Sequence, residues 1–124
     1  MGTFRVTIEV GDPTGSQFGE ISVLVDTGAS HSQVPTSLLR DLGVTPHTRR
    51  TFALADGRRI QREVGFTWAR VNGYSTITTF VFGDESAEPA LGAVTLEELG
   101  LAVDPLNQRL IPVEGLLMPL LAIS

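Results

Sequence analysis

One acidic side chain of this sequence stands where its surroundings could give it chemistry. Asp26 follows an apolar run, residues 21–25, and begins the polar pentapeptide Asp26-Thr27-Gly28-Ala29-Ser30. A buried strand that ends on such a turn would hold the carboxylate at the mouth of the core, where it can act as a general acid or base. Gly28 has no Cβ and lets a backbone approach closely, while the hydroxyls of Thr27 and Ser30 can fix the turn.

A serine beside a histidine suggests a second kind of chemistry, nucleophilic hydrolysis, but the spacing disfavours it. Ser30 and His31 are neighbours in the chain, and neighbouring side chains of an extended segment point to opposite faces. They therefore make a poor pair of nucleophile and base. We expect Ser30 to be structural, and His31 and His47 to be loop or surface residues. A third interpretation is that Asp26 is only a turn acid that accepts hydrogen bonds from its own loop.

The composition removes several other routes to catalysis or binding. The 124 residues contain no cysteine and two histidines, which excludes a thiol nucleophile, a disulfide framework and a cysteine-ligated zinc site. The acidic loop 83–88 lacks the spacing of a metal site. With 14 acidic residues, nine arginines and a net charge of −5, the chain is a poor candidate for a nucleic-acid binder. We expect the pairs Arg49-Arg50 and Arg58-Arg59 to be solvated or to face a substrate.

The pattern around Asp26 predicts a domain built mostly of short strands. Residues 4–10 alternate apolar and polar side chains, which is typical of a half-buried strand. Asp56-Gly57 and Asn72-Gly73 each separate two strand-like runs and predict β-hairpins with two-residue turns. Short helical segments are expected at 35–43 and 94–100, the second with Thr95 as its N-cap. Many short strands and few helical residues indicate the all-β class.

The same order of elements occurs twice along the chain. An apolar strand precedes a short helical segment that ends in Leu-Gly, once in residues 25–43 and again in residues 81–100. This order suggests an internal repeat.

The stretch from Asp26 to Ser30 resembles the catalytic loop of the retropepsin-like, or retroviral-type, aspartic proteases. Three further segments agree in chain order: the Asp56-Gly57 hairpin where the family has its flap, residues 90–97 as its second hydrophobic-Gly segment, and residues 101–105 before a late strand. The resemblance covers roughly residues 4–115 and is to the bacterial type with a single domain. It implies a closed or partly open β-barrel with one short helix, assembled as a symmetric homodimer.

The resemblance implies a mechanism that needs two carboxylates sharing one proton. This sequence has one such motif, because the other aspartates occupy turns or helix ends. The second Asp26 would therefore come from another copy of the chain, across a two-fold axis. We expect such a dimer to be most active at mildly acidic pH, because one proton must be retained.

The resemblance also assigns roles to the residues around Asp26. Thr27 would hydrogen-bond across the dimer axis, and Gly28 would bind the substrate backbone. The N–H groups of Ala29 and Ser30 would help to bind an extended peptide, added as a β-strand. A flap made by Ala55, Asp56 and Gly57 would close over it. The apolar ends, residues 4–10 and 116–123, are expected to form the dimer sheet.

These observations together predict one domain over residues 1–124, an aspartic endopeptidase that acts on peptides or proteins. They predict no cofactor, no metal, no nucleic acid and no membrane partner. No signal peptide or membrane-length apolar run is present, so a cytoplasmic location is expected. The alternative is a peptide-binding or dimerisation module of the same fold with weak or no activity, and a weaker one is hydrolysis of another amide or ester. The flap turn also departs from the retroviral pattern, since Asp56 and Arg58 flank Gly57 in place of a glycine-rich tip.

Overall fold

Nine strands and two short helices make up the described part of the chain, residues 3–115 and 117 of a computed structural model. The strands are β1 Phe4–Gly11, β2 Phe18–Val25, β3 Ser32–Pro35, β4 Thr48–Ala53, β5 Arg59–Val71, β6 Tyr74–Gly83, β7 Ala90–Leu91, β8 Leu101–Asp104 and β9 Arg109–Pro112. The helices are α1 Thr36–Asp41 and α2 Ala93–Leu99. The predicted all-β class is confirmed, and both helical segments are short.

Seven of these strands form one sheet that curls back on itself. Their order is β1-β2-β7-β3-β6-β5-β4, and β1 also pairs with β5, where Glu9 and Val10 lie opposite Arg70 and Ala69. This additional pairing closes six strands into a ring and leaves β4 outside it, which confirms the predicted closed or partly open β-barrel. β8 and β9 form a separate two-stranded sheet after α2.

The hairpin of β1 and β2 determines where the chain leaves the sheet at Asp26. β1 pairs with β2 along its whole length, with Phe4 opposite Val25. The turn between them is fixed by Asp12, whose Oδ1 accepts hydrogen bonds from the N–H groups of Ser16 and Gln17 at 2.7 and 2.9 Å. Because this turn sets the register, the last residue of β2 is buried and the next residue leaves the sheet at a defined place.

Both predicted hairpins are present on either side of the long strand β5. Asn72 and Gly73 have φ angles of 52° and 85°, as a two-residue type I′ turn requires. At the other hairpin, Gly57 alone has a positive φ, 89°, and five residues, 54–58, separate β4 from β5. The hairpin at Asp56-Gly57 is therefore confirmed, whereas its expected two-residue turn is wrong.

The internal repeat is visible in the strand pairing. β2 pairs with β7 in parallel, and β6 pairs with β3 in parallel. In each half a long strand leads into a loop of equal length, residues 26–31 and 84–89, and then into a short strand and a short helix. Gly43 and Gly100 follow the two helices with φ angles of 77° and 71°, the left-handed conformation that ends a helix.

The core fills the ring and supports both halves of the repeat. The largest apolar side chains that are fully buried are Phe80, Ile8, Leu39, Leu91, Val10, Val23, Val34, Val64 and Val71. Val25 is also buried, at 3% exposure. The strand that precedes Asp26 is therefore anchored in the core up to its last residue.

The expected N-cap of α2 is wrong. The helix begins at Ala93 after Gly92, without a capping side chain, and Thr95 is fully buried inside it. No capping side chain is needed, because the carbonyls of Ala29 and Ser30 accept the first N–H groups of this helix.

The two apolar ends were expected to form the dimer sheet. One edge of β1 pairs with β2 along its whole length, and the other edge pairs with β5 at Glu9 and Val10. Its role as a dimer strand stays a prediction for residues 4–8. Residues 116–123 lie outside the described residues, apart from Leu117.

Candidate active site

Asp26 is the first residue beyond β2, and its main chain is fixed on both sides. Its N–H donates to the carbonyl of Leu91 in β7 at 3.0 Å, and its own carbonyl accepts the N–H of Ala29 at 3.1 Å. The carboxylate Oδ1 accepts the N–H of Gly28 at 3.0 Å. Within the described part of the chain Oδ2 has no hydrogen-bond donor. The turn therefore holds one carboxylate oxygen and leaves the other available.

The start of α2 packs against the loop that follows Asp26. Ala93 and Val94 donate their N–H groups to the carbonyls of Ala29 and Ser30, at 2.9 and 3.0 Å. A Cβ at Gly92 would lie 2.6 Å from the carbonyl carbon and oxygen of His31, so only glycine permits this approach. The second hydrophobic-Gly segment, residues 90–97, therefore packs beside the loop that follows Asp26.

A buried chain of hydroxyl groups ties the same junction to β6. The N–H of Gly92 donates to Ser32 Oγ at 3.0 Å, and Ser32 Oγ lies 2.6 Å from Thr95 Oγ1. Thr95 Oγ1 lies 2.9 Å from Thr78 Oγ1, which donates to Glu98 Oε1 at 2.6 Å. Because each hydroxyl has one hydrogen to donate, every bond must run in one direction, from Gly92 to Glu98. The loop and the helix are thus held in one arrangement.

A groove of about 570 Å³ lies between this loop and the hairpin of β4 and β5. On the loop side it is lined by Asp26, by Gly28 and by residues 29–31. On the hairpin side it is lined by residues 50–54, together with Ile60 and Arg62. The structure therefore brings four of the five residues predicted around Asp26 to one groove.

Thr27 faces a second cavity. This cavity, of about 400 Å³, is lined by Thr27, Phe4, Val25, Val103 and Pro105, and Asp26 borders it as well as the groove. Asp26 thus lies between the groove and this second cavity.

Comparison with known proteins shows which family this chain belongs to and which solved fold it resembles. A family profile described as aspartyl protease matches residues 6–93, which is more than half of the chain. The chain belongs to the aspartyl protease family. The match contains most of β1 and all of β2 to β7, with the loop at Asp26 and the β4–β5 hairpin.

A solved structure supports the fold of this family member. The solution structure of simian foamy virus (mac) protease superposes with a TM-score of 0.54 at 17% identity, over 76% of this chain and 92% of the viral one. At this identity the likeness shows the fold alone, which is the predicted retroviral-type fold. Among curated proteins none matches the chain.

The flap tip of this aspartyl protease family member stands apart from the groove. Ala55, Asp56 and Gly57 do not line it, whereas Leu54, at the base of the loop, does. Asp56 accepts hydrogen bonds from the backbone N–H of Arg58 at 3.0 Å and from its Nε at 2.7 Å. These bonds, the backbone one first, lower the pKa of the Asp56 carboxyl. The tip is held by its own side chains, and its role as a flap stays a prediction.

His31 and Arg50 are site residues that the sequence reasoning assigned elsewhere or left open. His31 Nε2 accepts a hydrogen bond from Arg50 Nη1 at 3.0 Å, and its Nδ1 lies 2.9 Å from Ser30 Oγ. Arginine can only donate, so the neutral ring carries its proton on Nδ1 and donates it to Ser30. The expectation that these two neighbouring side chains point apart is therefore wrong, but the ring is the donor in this contact and does not act as a base towards the hydroxyl. Burial, and then the charge of Arg50, lower the pKa of His31. The ring also contacts Phe52 edge to face at 5.7 Å.

No metal or membrane feature accompanies the groove. In residues 3–115 and 117, no three histidine, aspartate or glutamate side chains come together as a metal site would require. The helices described are all too short or too polar to cross a membrane.

Proposed function

We propose that this chain is a homodimeric aspartic endopeptidase in which one Asp26 from each copy flanks the hydrolytic water. The observation that carries the proposal is the position of Asp26, on a fixed turn at a groove, with one carboxylate oxygen unoccupied by the described residues. Family membership supports a protease role. We also propose that residues 1–124 form one domain, which supplies half of the active site.

The chemistry follows from placing two Asp26 side chains together. Two neighbouring carboxylates cannot both ionise readily, so the pair keeps one proton. The ionised member takes a proton from water as the water oxygen attacks the scissile carbonyl carbon, and the protonated member donates to the carbonyl oxygen. When the C–N bond of the resulting diol breaks, the amine nitrogen takes one proton from the pair and a hydroxyl of the diol gives one back, so the pair ends with the single proton with which it began.

The neighbouring residues would bind and position the peptide. Gly28, Ala29 and Ser30 line the groove and present backbone groups to an extended chain, which would add as a strand. Thr27 lies towards the second cavity, where a hydrogen bond across the two-fold axis would be formed. The loop of Ala55, Asp56 and Gly57 would have to move inwards to cover a substrate, because it does not line the groove.

The test is the substitution Asp26→Asn. An amide cannot take the proton of water, so peptide cleavage is expected to fall by about 10²-fold or more. Sedimentation is expected to show that the variant still folds and dimerises. Asp41→Asn is the matched control, because Asp41 is an exposed acid at the end of α1. Undiminished cleavage by Asp26→Asn would remove the assignment, and a wild-type dimer that binds peptides without cutting them would point to a binding module.

A further inference from the structure

We propose that Arg50 and His31 form a subsite that selects an acidic side chain of the substrate. The inference rests on the proposed function, since it assumes that a peptide occupies the groove at Asp26. It adds the chemical class of residue that this peptide carries near the bond to be cut.

Arg50 is placed to meet a bound peptide. It lies on β4, the outer strand of the hairpin, and lines the same groove as Asp26. Its neighbour Arg49 does not line the groove. The two adjacent arginines therefore differ in their access to a ligand in the groove.

The charge balance of the groove leaves Arg50 without an anion. The second arginine of the groove, Arg62, is paired with Asp84 at 2.9 Å. Glu88, which also lines the groove, is paired with Arg5. Among the described residues no carboxylate, Asp26 included, lies within the 4 Å of an ion pair with Arg50. Arg50 is therefore an arginine of the groove that pairs with no carboxylate of the described residues.

The cation is held in place by neutral groups. His31 Nε2 accepts one of the five N–H groups of Arg50, and the ring of Phe52 lies 5.8 Å from the guanidinium carbon. A neutral imidazole positions the guanidinium and leaves its charge intact, whereas a carboxylate would have neutralised it. Four N–H groups remain, enough for the two parallel hydrogen bonds that arginine makes to a carboxylate.

The dimer would present this subsite twice. A two-fold axis through the pair of Asp26 side chains places one Arg50 on each side of the scissile bond. The substrate is then expected to favour Asp or Glu at one position before the bond and at one position after it.

Cleavage of a peptide mixture tests the inference. The peptides are acetylated and amidated at their ends, so that every carboxylate belongs to a side chain, and the cut bonds are identified by mass spectrometry. Matched Glu and Gln peptides are then compared at the enriched position. We expect the wild type to favour the Glu peptide by about tenfold in kcat/KM, as a charge-assisted hydrogen bond would give.

Variants of Arg50 and Arg49 distinguish a specific contact with Arg50 from a general attraction of acidic peptides to positive charge. Arg50→Gln is expected to bring the ratio close to one, and Arg50→Glu to reverse it so that a Lys peptide is favoured. Arg49→Gln is expected to keep the tenfold ratio. A wild type indifferent to Glu and Gln, or an Arg50→Gln variant that keeps the preference, would overturn the inference. A preference seen only with free C-terminal acids would also overturn it, because the anion would then be the chain end.

A binding measurement keeps the inference separate from catalysis. The same mixture is passed over immobilised Asp26→Asn protein, with and without the Arg50→Gln change, and the retained peptides are sequenced. Retention of acidic peptides that Arg50→Gln abolishes supports the subsite even if the wild type cleaves nothing. Equal retention of acidic and neutral peptides counts against the subsite, and absent cleavage by the wild type counts against the proposed function alone.

Discussion

The imidazole of His31 joins the loop at Asp26 to the β4 strand only in its neutral form. Nε2 is an acceptor towards Arg50, and protonation would turn it into a donor that faces another donor. Protonation would also place two positive charges side by side. The contact between loop and hairpin is therefore sensitive to pH.

The first prediction concerns this histidine and the free energy of unfolding. Burial, and then Arg50, lower the pKa of His31 in the folded protein below its value of about 6.5 in an unfolded chain. Between these two pKa values the unfolded state binds more protons, so the free energy of unfolding falls as the pH drops below about 6.5 and levels off below the folded pKa. Urea denaturation across this range should show a shallower pH dependence for His31→Gln than for the wild type. Parallel curves would contradict the prediction, and His47→Gln, at an exposed position, is the control.

The residues of the site differ in how far the sequence could reveal them. Asp26 and the four residues after it are one continuous segment, so their type and spacing were enough to find them. Arg50 lies 19 residues from His31 in sequence, and their contact exists only because the β4–β5 hairpin folds back over the loop. A pair of adjacent arginines in a strand gave a weak signal of this, since a substrate-facing role remained open.

At the scale of the elements, the junction of β7 and α2 is the tightest contact of the site. Gly92 has no room for a side chain, because the nearest atoms belong to the backbone of His31 and Ala29 and cannot rotate away. The junction therefore sets the distance between the helix and the loop that carries Asp26.

The second prediction is that Gly92→Ala destabilises the protein and displaces this loop. We expect the free energy of unfolding to fall by about 1–3 kcal/mol, the usual cost of overpacking a filled site. Thermal or urea denaturation would measure the loss. Gly115→Ala is the control, because nothing lies within 4 Å of a Cβ there. Equal stability of both variants would show that the junction yields more easily than its contacts indicate.

Elements specified by neighbouring residues were predictable, and those specified by distant ones were not. The alternation of apolar and polar residues specifies β1, and the backbone preferences of Asn72 and Gly73 specify the turn between β5 and β6. Gly65 interrupts the apolar pattern, yet β5 continues through this residue because Gly65 pairs with Phe80 of β6. A Cβ at Gly65 would lie 3.0 Å from the carbonyl oxygen of Thr45. The position of Thr95 was misjudged for a similar reason, since carbonyls from a distant loop cap α2. Closure of the ring by β1 and β5 likewise depends on residues far apart in the chain.

At the scale of the whole molecule, the proposed shared site would make activity depend on association. The third prediction is that wild-type activity falls to about half when an equal amount of Asp26→Asn protein is mixed in and allowed to exchange. Half of the wild-type chains would then sit in mixed dimers that hold one carboxylate. Initial cleavage rates after equilibration measure this, with serum albumin as the inert control. Unchanged activity would indicate a site complete within one chain.

Several expectations about the whole molecule stay predictions. They are the single domain over residues 1–124, the cytoplasmic location, the optimum at mildly acidic pH and the part that both termini play in the dimer. The single domain over residues 1–124 includes residues outside the described part of the chain, and the other three depend on a cellular setting, a substrate or a second chain.

The repeat of strand, loop, strand and helix has a chemical counterpart. Asp84 follows β6 directly, as Asp26 follows β2, and each opens a loop of the same length. The two acids are therefore equivalent positions in the two halves, yet Asp84 is bound by Arg62 at 2.9 Å. In the second half the acid pairs with Arg62 of β5, whereas in the first half Asp26 is open to the groove. The chain thus repeats its scaffold without repeating an acid that is open to the groove.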